Sequence, residues 1–442
     1  MHTLKKIILM IVVLIGMEAV LSFALEPVTY QHTLEQEMKG LEMRGVTPNI
    51  VVLGDSTALY GLAPVNMEET LGDQFCVLNA ATASQQVWGS YYYLKDLLQK
   101  YEKIRYVVLG IDYWAYAETD ISIKKELLIL DRIKDPKIKL EYVGNIFKPE
   151  EYPYLMKSYA NRDQIGNMGN NLRQKLSWGY LFGNKNDVSQ SEMTRGHSVI
   201  GPGMGAKSVG IQELGEFEMA DMDPMALEYL DKIRKLCVQK GVKLYLMGMP
   251  LTSATVYASE SYDGFYAYFH DYAKQHQIQY WDFNLLKDRF EVMPDELMAD
   301  IGHPGAPGYQ QLSRKLGTLL RKDMAGKSVE YEFYSNVSMW RKSLSGIIGC
   351  DLYTESIAGT KDRTLNGFSL AADGIEVEYE FWISVDGKNG NWIKLQEYGK
   401  GKECIVPGKY FEEDLWMKVC CRQKGRTSSY EKCCVRMRSS DM

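Results

Sequence analysis

The sequence predicts a three-layer α/β/α domain on a parallel sheet, interrupted by a large insertion and followed by an antiparallel β-sandwich. Three observations predict this architecture. Short apolar, β-branched runs alternate with helix-period segments over 46–325, a pattern typical of a parallel sheet covered by helices on both faces. The alternation stops over about 115–220, which indicates an insertion. Residues 330–442 carry alternating aromatic and β-branched runs between turn signals, as the strands of a sandwich do.

Composition excludes some classes of protein. With 45% hydrophobic and 24% charged residues, the chain has the balance of an ordinary globular protein and is long enough, at 442 residues, for two or three domains. The net charge is -6, and no block of lysine and arginine supplies the stripe that phosphate neutralisation needs. We therefore expect no nucleic-acid partner.

The N-terminus predicts contact with a membrane. Two lysines precede an apolar run at 7–25 that is interrupted by Glu18. About 20 such residues suffice to cross a bilayer, and the leading positive charge keeps that end in the cytoplasm. Ser22 and Ala24 also fit the cleavage box of a secretory signal peptide, and a buried core helix is a third alternative. As a signal anchor or as a cleaved signal, 1–25 would place the rest of the chain outside the cytoplasm.

The next elements follow in order. Residues 26–45 are polar, helical in character and predicted to be a stalk. The predicted strands are Asn49–Leu53, Phe75–Leu78, Tyr106–Ile111, Val242–Gly248 and Ile278–Phe283. The predicted helices include Tyr91–Tyr101, Ile123–Ile133, Ala226–Lys240 and Ala306–Arg321.

Cysteines divide between two environments. Cys76 and Cys237 fall in apolar segments and are predicted to be buried fillers. The other six lie in the last quarter, which suits disulfides in an oxidising compartment better than zinc, because no CxxC spacing is present. A predicted hairpin with its turn near 424–428 sets two cysteine pairs across from each other. If Cys420 faces Cys434, the next pair faces the other side of the ribbon, and we expect at most one cross-strand bridge.

Gly54-Asp55-Ser56 follows the first predicted strand directly. Ligands of open α/β sheets bind beyond the carboxyl ends of the strands. A serine there, at the start of a helix, has an exposed hydroxyl and nearby backbone N–H groups that can stabilise an oxyanion. The alternative is a tight turn with a helix-capping serine.

A second motif, Asp300-Ile301-Gly302-His303, precedes the last predicted helix of the α/β domain. A carboxylate three residues before an imidazole can accept the Nδ1 proton and leave Nε2 facing a serine. The alternative is an ordinary turn at a helix start. His197, in the insertion, is an outside candidate for substrate contact.

Together, the two motifs resemble the blocks of the SGNH (GDSL-like) hydrolase superfamily, whose fold is a flavodoxin-like three-layer domain. The resemblance spans about 45–325, and Asn79–Ser84 lies where that family has its Asn-x-Gly-x-x-Gly block. It implies Ser56 as nucleophile, His303 as general base and Asp300 as the residue that orients it. The implied oxyanion donors are the backbone N–H groups of Ser56 and Ser84, with Asn79 also near the site.

Two positions depart from the family pattern. Ser84 replaces a glycine, which is tolerable where the backbone needs no positive φ. Asp112 stands where the third block has an asparagine, and an ionised carboxylate cannot donate to an oxyanion. Asp112 is expected to be protonated in a dry site, to be ionised and turned away, or to cap a turn.

An anchored, divergent member resembles the envelope-modifying branch of the superfamily, which includes DltD-like and exopolysaccharide O-acetylation proteins. That resemblance implies a serine acyltransferase or esterase acting on O-acetyl groups of a cell-envelope polysaccharide beside a membrane-bound O-acyltransferase. The alternatives are a secreted carbohydrate or lipid esterase and a non-catalytic, glycan-binding envelope scaffold. None of these functions calls for a cofactor or a metal.

Overall fold

The computed structural model describes residues 2–28, 30–117, 122–177, 180–181, 194–200, 211, 222–387, 390–412, 415–428 and 431–437. The chain forms two compact units. Unit 1 comprises 1–198 and 223–244, and unit 2 comprises 199–222 and 245–442.

The structure forms helices and strands in the following order. The helices are α1 (His2–Leu25), α2 (Tyr30–Met43), α3 (Ser56–Gly61), α4 (Pro64–Leu71), α5 (Val87–Lys100), α6 (Tyr113–Ala117), α7 (Ile123–Arg132), α8 (Pro136–Ile146), α9 (Lys157–Ala160), α10 (Met168–Lys175), α11 (Pro224–Lys240), α12 (Ser253–Ala258), α13 (Tyr262–His276), α14 (Arg289–Val292), α15 (Gly308–Met324) and α16 (Val337–Ser343). The strands are β1 (Ile50–Leu53), β2 (Val77–Asn79), β3 (Tyr106–Ile111), β4 (Lys243–Gly248), β5 (Gln279–Asp282), β6 (Ile347–Ser356), β7 (Arg363–Ala371), β8 (Val377–Ser384), β9 (Ile393–Gly399), β10 (Glu403–Val406), β11 (Trp416–Gln423) and β12 (Lys432–Met437).

The α/β sheet has the strand order β2-β1-β3-β4-β5. Its pairings are parallel, with Ile50 opposite both Val77 and Tyr106 in unit 1, and Tyr245 opposite Gln279 in unit 2. Both faces of β1 are buried, as the continuous apolar run predicts for a central parallel strand. This is the flavodoxin-like order, so the predicted fold class is confirmed.

Helix α1 is long and apolar enough to cross a membrane over Leu4–Leu25, by length and composition, and 6% of that window is buried. Helix α2 packs Leu34, Met38 and Leu41 into unit 1. The hydroxyl of Tyr101 donates to Glu42 at 2.6 Å. The segment predicted as a stalk is thus a packed helix of the unit.

The predicted insertion contributes α7 to α10 and two 3-10 helices, Pro149–Leu155 and Arg162–Asn167. Its remainder, apart from short described pieces at 180–181, 194–200 and 211, lies outside the described residues. Residues 194–198 pack within unit 1, where Asn79 N–H donates to the Arg195 carbonyl at 2.9 Å.

Two antiparallel sheets, β10-β7-β6 and β12-β11-β8-β9, form the C-terminal part of unit 2 and share one apolar core. The predicted β-sandwich is therefore confirmed. The predicted burial of Cys76 and Cys237 is confirmed as well, and both are free thiols.

The hairpin register differs from the predicted one. Cys420 faces Cys433, and Val419 faces Cys434, so the register is shifted by one residue. The two sulfur atoms of Cys420 and Cys433 are 3.7 Å apart, and both are free thiols. A one-residue shift exchanges the faces of the ribbon, because side chains alternate along a strand.

Candidate active site

The candidate nucleophile stands on a sharp turn between β1 and α3. Gly54 has φ +144°, and a Cβ there would lie 2.8 Å from the Ala58 Cβ, so a side chain is excluded. Asp55 caps α3 by accepting from the N–H of Thr57 at 2.9 Å and from its hydroxyl at 2.7 Å. Ser56 is therefore the first residue of α3, half-buried, at the carboxyl end of a central strand.

Asn79 holds the turn together from inside. Its side-chain amide donates to the carbonyls of Ala58 at 2.9 Å and Leu62 at 2.7 Å, and its Oδ1 accepts from Ala81 N–H at 3.0 Å. The residue is completely buried. Asn79 thus fixes the end of α3 against the following loop and does not reach a substrate.

Ser84 adopts φ +56°, in the left-handed region that favours glycine. The condition under which serine would be a harmless replacement, a negative φ, is therefore not met. The half-buried loop carries backbone strain at the position that the family resemblance gives to an oxyanion donor. The strain concerns the torsion alone, because the backbone N–H is retained.

Asp112 follows β3 and is 2% exposed. Its Oδ2 accepts from Trp114 N–H at 3.2 Å, which makes it a cap of α6. Among the described residues its buried Oδ1 accepts no hydrogen bond from the protein, while the Asp55 carboxylate lies within hydrogen-bonding reach. Burial, with the negative charge of Asp55, raises the pKa of Asp112 well above its usual value. The contacts of Asp112 are those of the capping alternative, and the direction of its pKa shift favours the protonated form over the ionised, turned-away form.

Asp300 and His303 form a closed pair at the loop before α15. His303 Nδ1 lies 2.9 Å and 2.8 Å from the two Asp300 carboxylate oxygens, and Oδ1 also accepts from the backbone N–H groups of Gly302 and His303 at 2.9 Å. Burial raises the pKa of Asp300, but these hydrogen bonds outweigh it and hold the pKa below its usual value. The carboxylate stays ionised and accepts the Nδ1 proton, and in this type of pair Nε2 is the ring nitrogen that acts as the base.

A buried arginine supports this loop. Arg289 is 1% exposed and donates to the Leu251 carbonyl and, at 3.1 Å, to the Asn284 side chain. The adjoining Thr252 N–H donates to the carbonyl of Ile301 at 2.9 Å. The Asp-x-x-His turn is thereby tied to the end of β4.

The structure places the predicted residues in two groups. Ser56, Asn79, Ser84 and Asp112 belong to unit 1, and the Asp300–His303 pair belongs to unit 2. Ser56 stands at the carboxyl end of β1, and the Asp300–His303 contact that the second motif predicts is formed. Their assembly into one triad stays a prediction.

Sequence reasoning missed Arg132. It is 5% exposed, donates from one nitrogen to the carbonyls of Ala80 and Ala81 at 3.0 Å each, and stacks over Tyr93 at 5.6 Å. It comes from α7 of the insertion, about 50 positions away, so spacing gives no signal for it. An arginine at the end of an amphipathic helix was the available hint.

Arg195 was missed as well. It is 1% exposed and pairs with both oxygens of Glu68, and its backbone N–H donates to Glu37 at 2.7 Å. Next to it, a Cβ on Gly196 would lie 1.9 Å from the Asn79 carbonyl oxygen. The insertion therefore clamps the Asn79 end of the block directly.

His197 does not meet the role of substrate contact expected for it. It is 8% exposed, and its Nε2 lies 3.1 Å from the Tyr60 carbonyl oxygen on α3. Burial lowers the pKa of His197 to about 4, although the hydrogen bond to Tyr60 opposes it. The ring is a neutral donor that fastens segment 194–200 to the nucleophile helix. Within the described residues, no group of three or more acidic, histidine or cysteine side chains could hold a metal ion.

Comparison with known proteins finds similarity to solved structures only, and at low scores. No protein-family model matches the chain, and no curated protein matches it. A lipolytic protein of the G-D-S-L family from Desulfitobacterium hafniense aligns at 12% identity and TM-score 0.30, covering 61% of this chain and 98% of the other. An acylhydrolase from Bacteroides fragilis aligns at 9% identity and TM-score 0.29, covering 66% of this chain and 97% of the other. At these scores the case for a function rests on the residues themselves.

Proposed function

We propose that the protein is an extracytoplasmic serine esterase or acyltransferase of the SGNH kind. The Asp300–His303 pair carries the proposal, because it holds a histidine with its Nδ1 bound by an ionised carboxylate. Ser56, at the mouth of a glycine-dependent turn, supplies a hydroxyl of the type that such a base activates.

The proposed reaction has two acyl-transfer steps. Ser56 Oγ attacks the ester carbonyl while His303 Nε2 takes its proton, and the same proton then passes to the departing alcohol. Water or a sugar hydroxyl next attacks the acyl-serine and gives its proton to His303, which returns it to Ser56 Oγ as the acyl–oxygen bond breaks. Acceptor choice decides between hydrolysis and transfer.

Backbone N–H groups of Ser56 and Ser84 are the proposed oxyanion donors. Asp112 is not assigned as a donor, because its Oδ2 caps α6 and the Asp55 carboxylate lies beside it. Removing one oxyanion donor slows such enzymes by about 10²–10³. With only two donors the proposed site would hydrolyse esters slowly, which favours a tethered acceptor over water. We therefore propose an O-acetylated cell-envelope polysaccharide as substrate and a membrane-bound O-acyltransferase as neighbour. A secreted esterase is the second candidate.

Covalent labelling tests the nucleophile. A fluorophosphonate should label the full-length protein and fail to label Ser56→Ala, while the exposed Ser328→Ala control keeps full labelling. His303→Ala and Asp300→Asn should each slow labelling strongly, and Ser56→Ala with His303→Ala should lose no more acetyl-ester turnover than either change alone. Undiminished labelling of Ser56→Ala would refute the assignment, and failure of the parent protein to label would favour a glycan-binding scaffold.

A further inference from the structure

The C-terminal half of α1 is bound by polar groups of the insertion. Glu18 accepts from its own helix at Ser22 Oγ, 2.7 Å away, and from the backbone N–H of Ser158 at 3.1 Å. The hydroxyl of Ser158 also donates to Glu18. Helices α9 and α10 and the 3-10 helix at 162–167 pack on this half of α1.

The last turn of α1 is capped by α10. Asn171 donates from its side chain to the Leu25 carbonyl at 2.9 Å, and Lys175 donates to the Phe23 carbonyl at 2.8 Å. These carbonyls end the helix and would otherwise lack partners. Glu26, just beyond, is paired with Lys157 at 2.5 Å. Such contacts belong to a helix that stays with the folded chain.

The level at which Ser158 binds α1 sets the depth of Ser158 in a bilayer that α1 would cross. Glu18 precedes Leu25 by seven residues, which is about 10 Å along a helix axis. A bilayer core of about 30 Å uses nearly all of Leu4–Leu25. If α1 spans the membrane, Ser158 and its neighbours must therefore lie below the outer surface of that core.

The same segment exposes large apolar side chains. Among them are Met156 at 50%, Ile165 at 65% and Leu176 at 63% exposure. Arg162 lies over the ring of Tyr159 at 4.2 Å. A guanidinium beside an aromatic ring suits the boundary between lipid and water, where the charge contacts lipid phosphates. At the depth that Glu18 sets for Ser158, apolar side chains of this kind contact acyl chains, whereas on a water-facing surface they form exposed apolar area.

We propose that residues 149–176, the interfacial segment, are embedded in the outer leaflet of the bilayer around a retained α1. The occupant of the exposed apolar face is lipid. The proposal requires α1 to be a membrane anchor, and it deepens the proposed function by bringing the candidate site close to the membrane. Lys157 links the segment to Asp131 of α7 at 3.2 Å. The next residue of α7, Arg132, donates to a carbonyl of the candidate oxyanion loop. Substrates presented at the membrane surface are therefore favoured over soluble esters.

Depth-dependent quenching tests the segment on the full chain in phosphatidylcholine–phosphatidylglycerol vesicles. An environment-sensitive fluorophore is attached at Ile165→Cys and, as matched control, at Val238→Cys, which is 70% exposed on α11 of the same unit. None of the eight native cysteines is exposed, and the parent protein treated identically gives the background. Nitroxide-labelled lipid should quench the probe at 165 at least threefold more than the probe at 238, and aqueous iodide should show the reverse order.

Two results would overturn the proposal. Equal iodide quenching at both positions would place the segment in water, and protection of position 165 from both quenchers would mean that protein covers it. Intact-mass analysis must also find residues 1–25 in the vesicle-bound chain. The readout does not depend on catalysis, so Ser56→Ala carried through the same experiment should quench identically, and failure of the proposed chemistry would leave this result unchanged.

Discussion

Acidification should release segment 194–200 from the nucleophile helix through His197. The ordinary pKa of histidine is 6.5 and that of the folded protein's His197 is about 4, because burial disfavours the imidazolium. Between these values the folded state binds fewer protons than the unfolded state, so stability is fully present above pH 6.5 and falls as the pH falls. Integrating over the window gives a loss of about 3 kcal/mol by pH 4.

The assay compares the full-length protein with His197→Gln in urea denaturation at pH 7 and pH 4. Glutamine can donate to the Tyr60 carbonyl as Nε2 does, but it does not titrate, so all other groups contribute equally to both proteins. The variant should gain about 3 kcal/mol relative to the parent on going from pH 7 to pH 4. A relative change below about 1 kcal/mol would mean that the folded ring accepts its proton without penalty, and that it is not a buried neutral donor.

Three further changes test the loops. Ser84→Gly should relieve the positive φ and stabilise the protein by about 1 kcal/mol in urea denaturation, with acetyl-ester turnover retained. Gly196→Ala should cost at least about 2 kcal/mol, because its Cβ would collide with the Asn79 carbonyl, whereas Gly241→Ala, with φ +65° and open space, should cost about 1 kcal/mol. The raised pKa of Asp112 means that its stabilising contribution is present below the ordinary value of 3.8 and is lost as the pH rises through the folded value. Asp112→Asn should therefore flatten the pH dependence of stability and raise neutral hydrolysis. A tenfold fall in hydrolysis would instead make Asp112 a catalytic or substrate-binding carboxylate.

The sequence patterns predicted those features that are determined by residues close together in the chain. The strand over Tyr106–Ile111 was predicted with its observed bounds, since a run buried on both faces needs continuous apolar side chains. The Asp300–His303 contact could be predicted equally well, because a spacing of three residues within one turn brings the two side chains together. Both follow from neighbours in the chain.

Long-range contacts and backbone torsions could not be predicted in this way. The φ of Ser84 depends on how its loop is held at both ends, and no property of serine indicates it. Arg132 and Arg195 reach partners that are about 50 to 160 positions away. The register of the cysteine hairpin differed by one residue, because the predicted turn did not fix how many residues it consumes.

The contacts of the insertion also give it a structural role in the candidate site. Arg132 holds the carbonyls of Ala80 and Ala81, and the Arg195 carbonyl accepts from Asn79, so two parts of the insertion fix the loop that ends at Ser84. Helix α2 joins them, because Glu37 accepts from the Arg195 backbone. An oxyanion donor is effective only when its N–H is fixed before the charge develops. The geometry of the proposed hole therefore depends on the insertion and on α2, and a chain trimmed of both would keep the Ser56 turn while losing the restraint on Ser84.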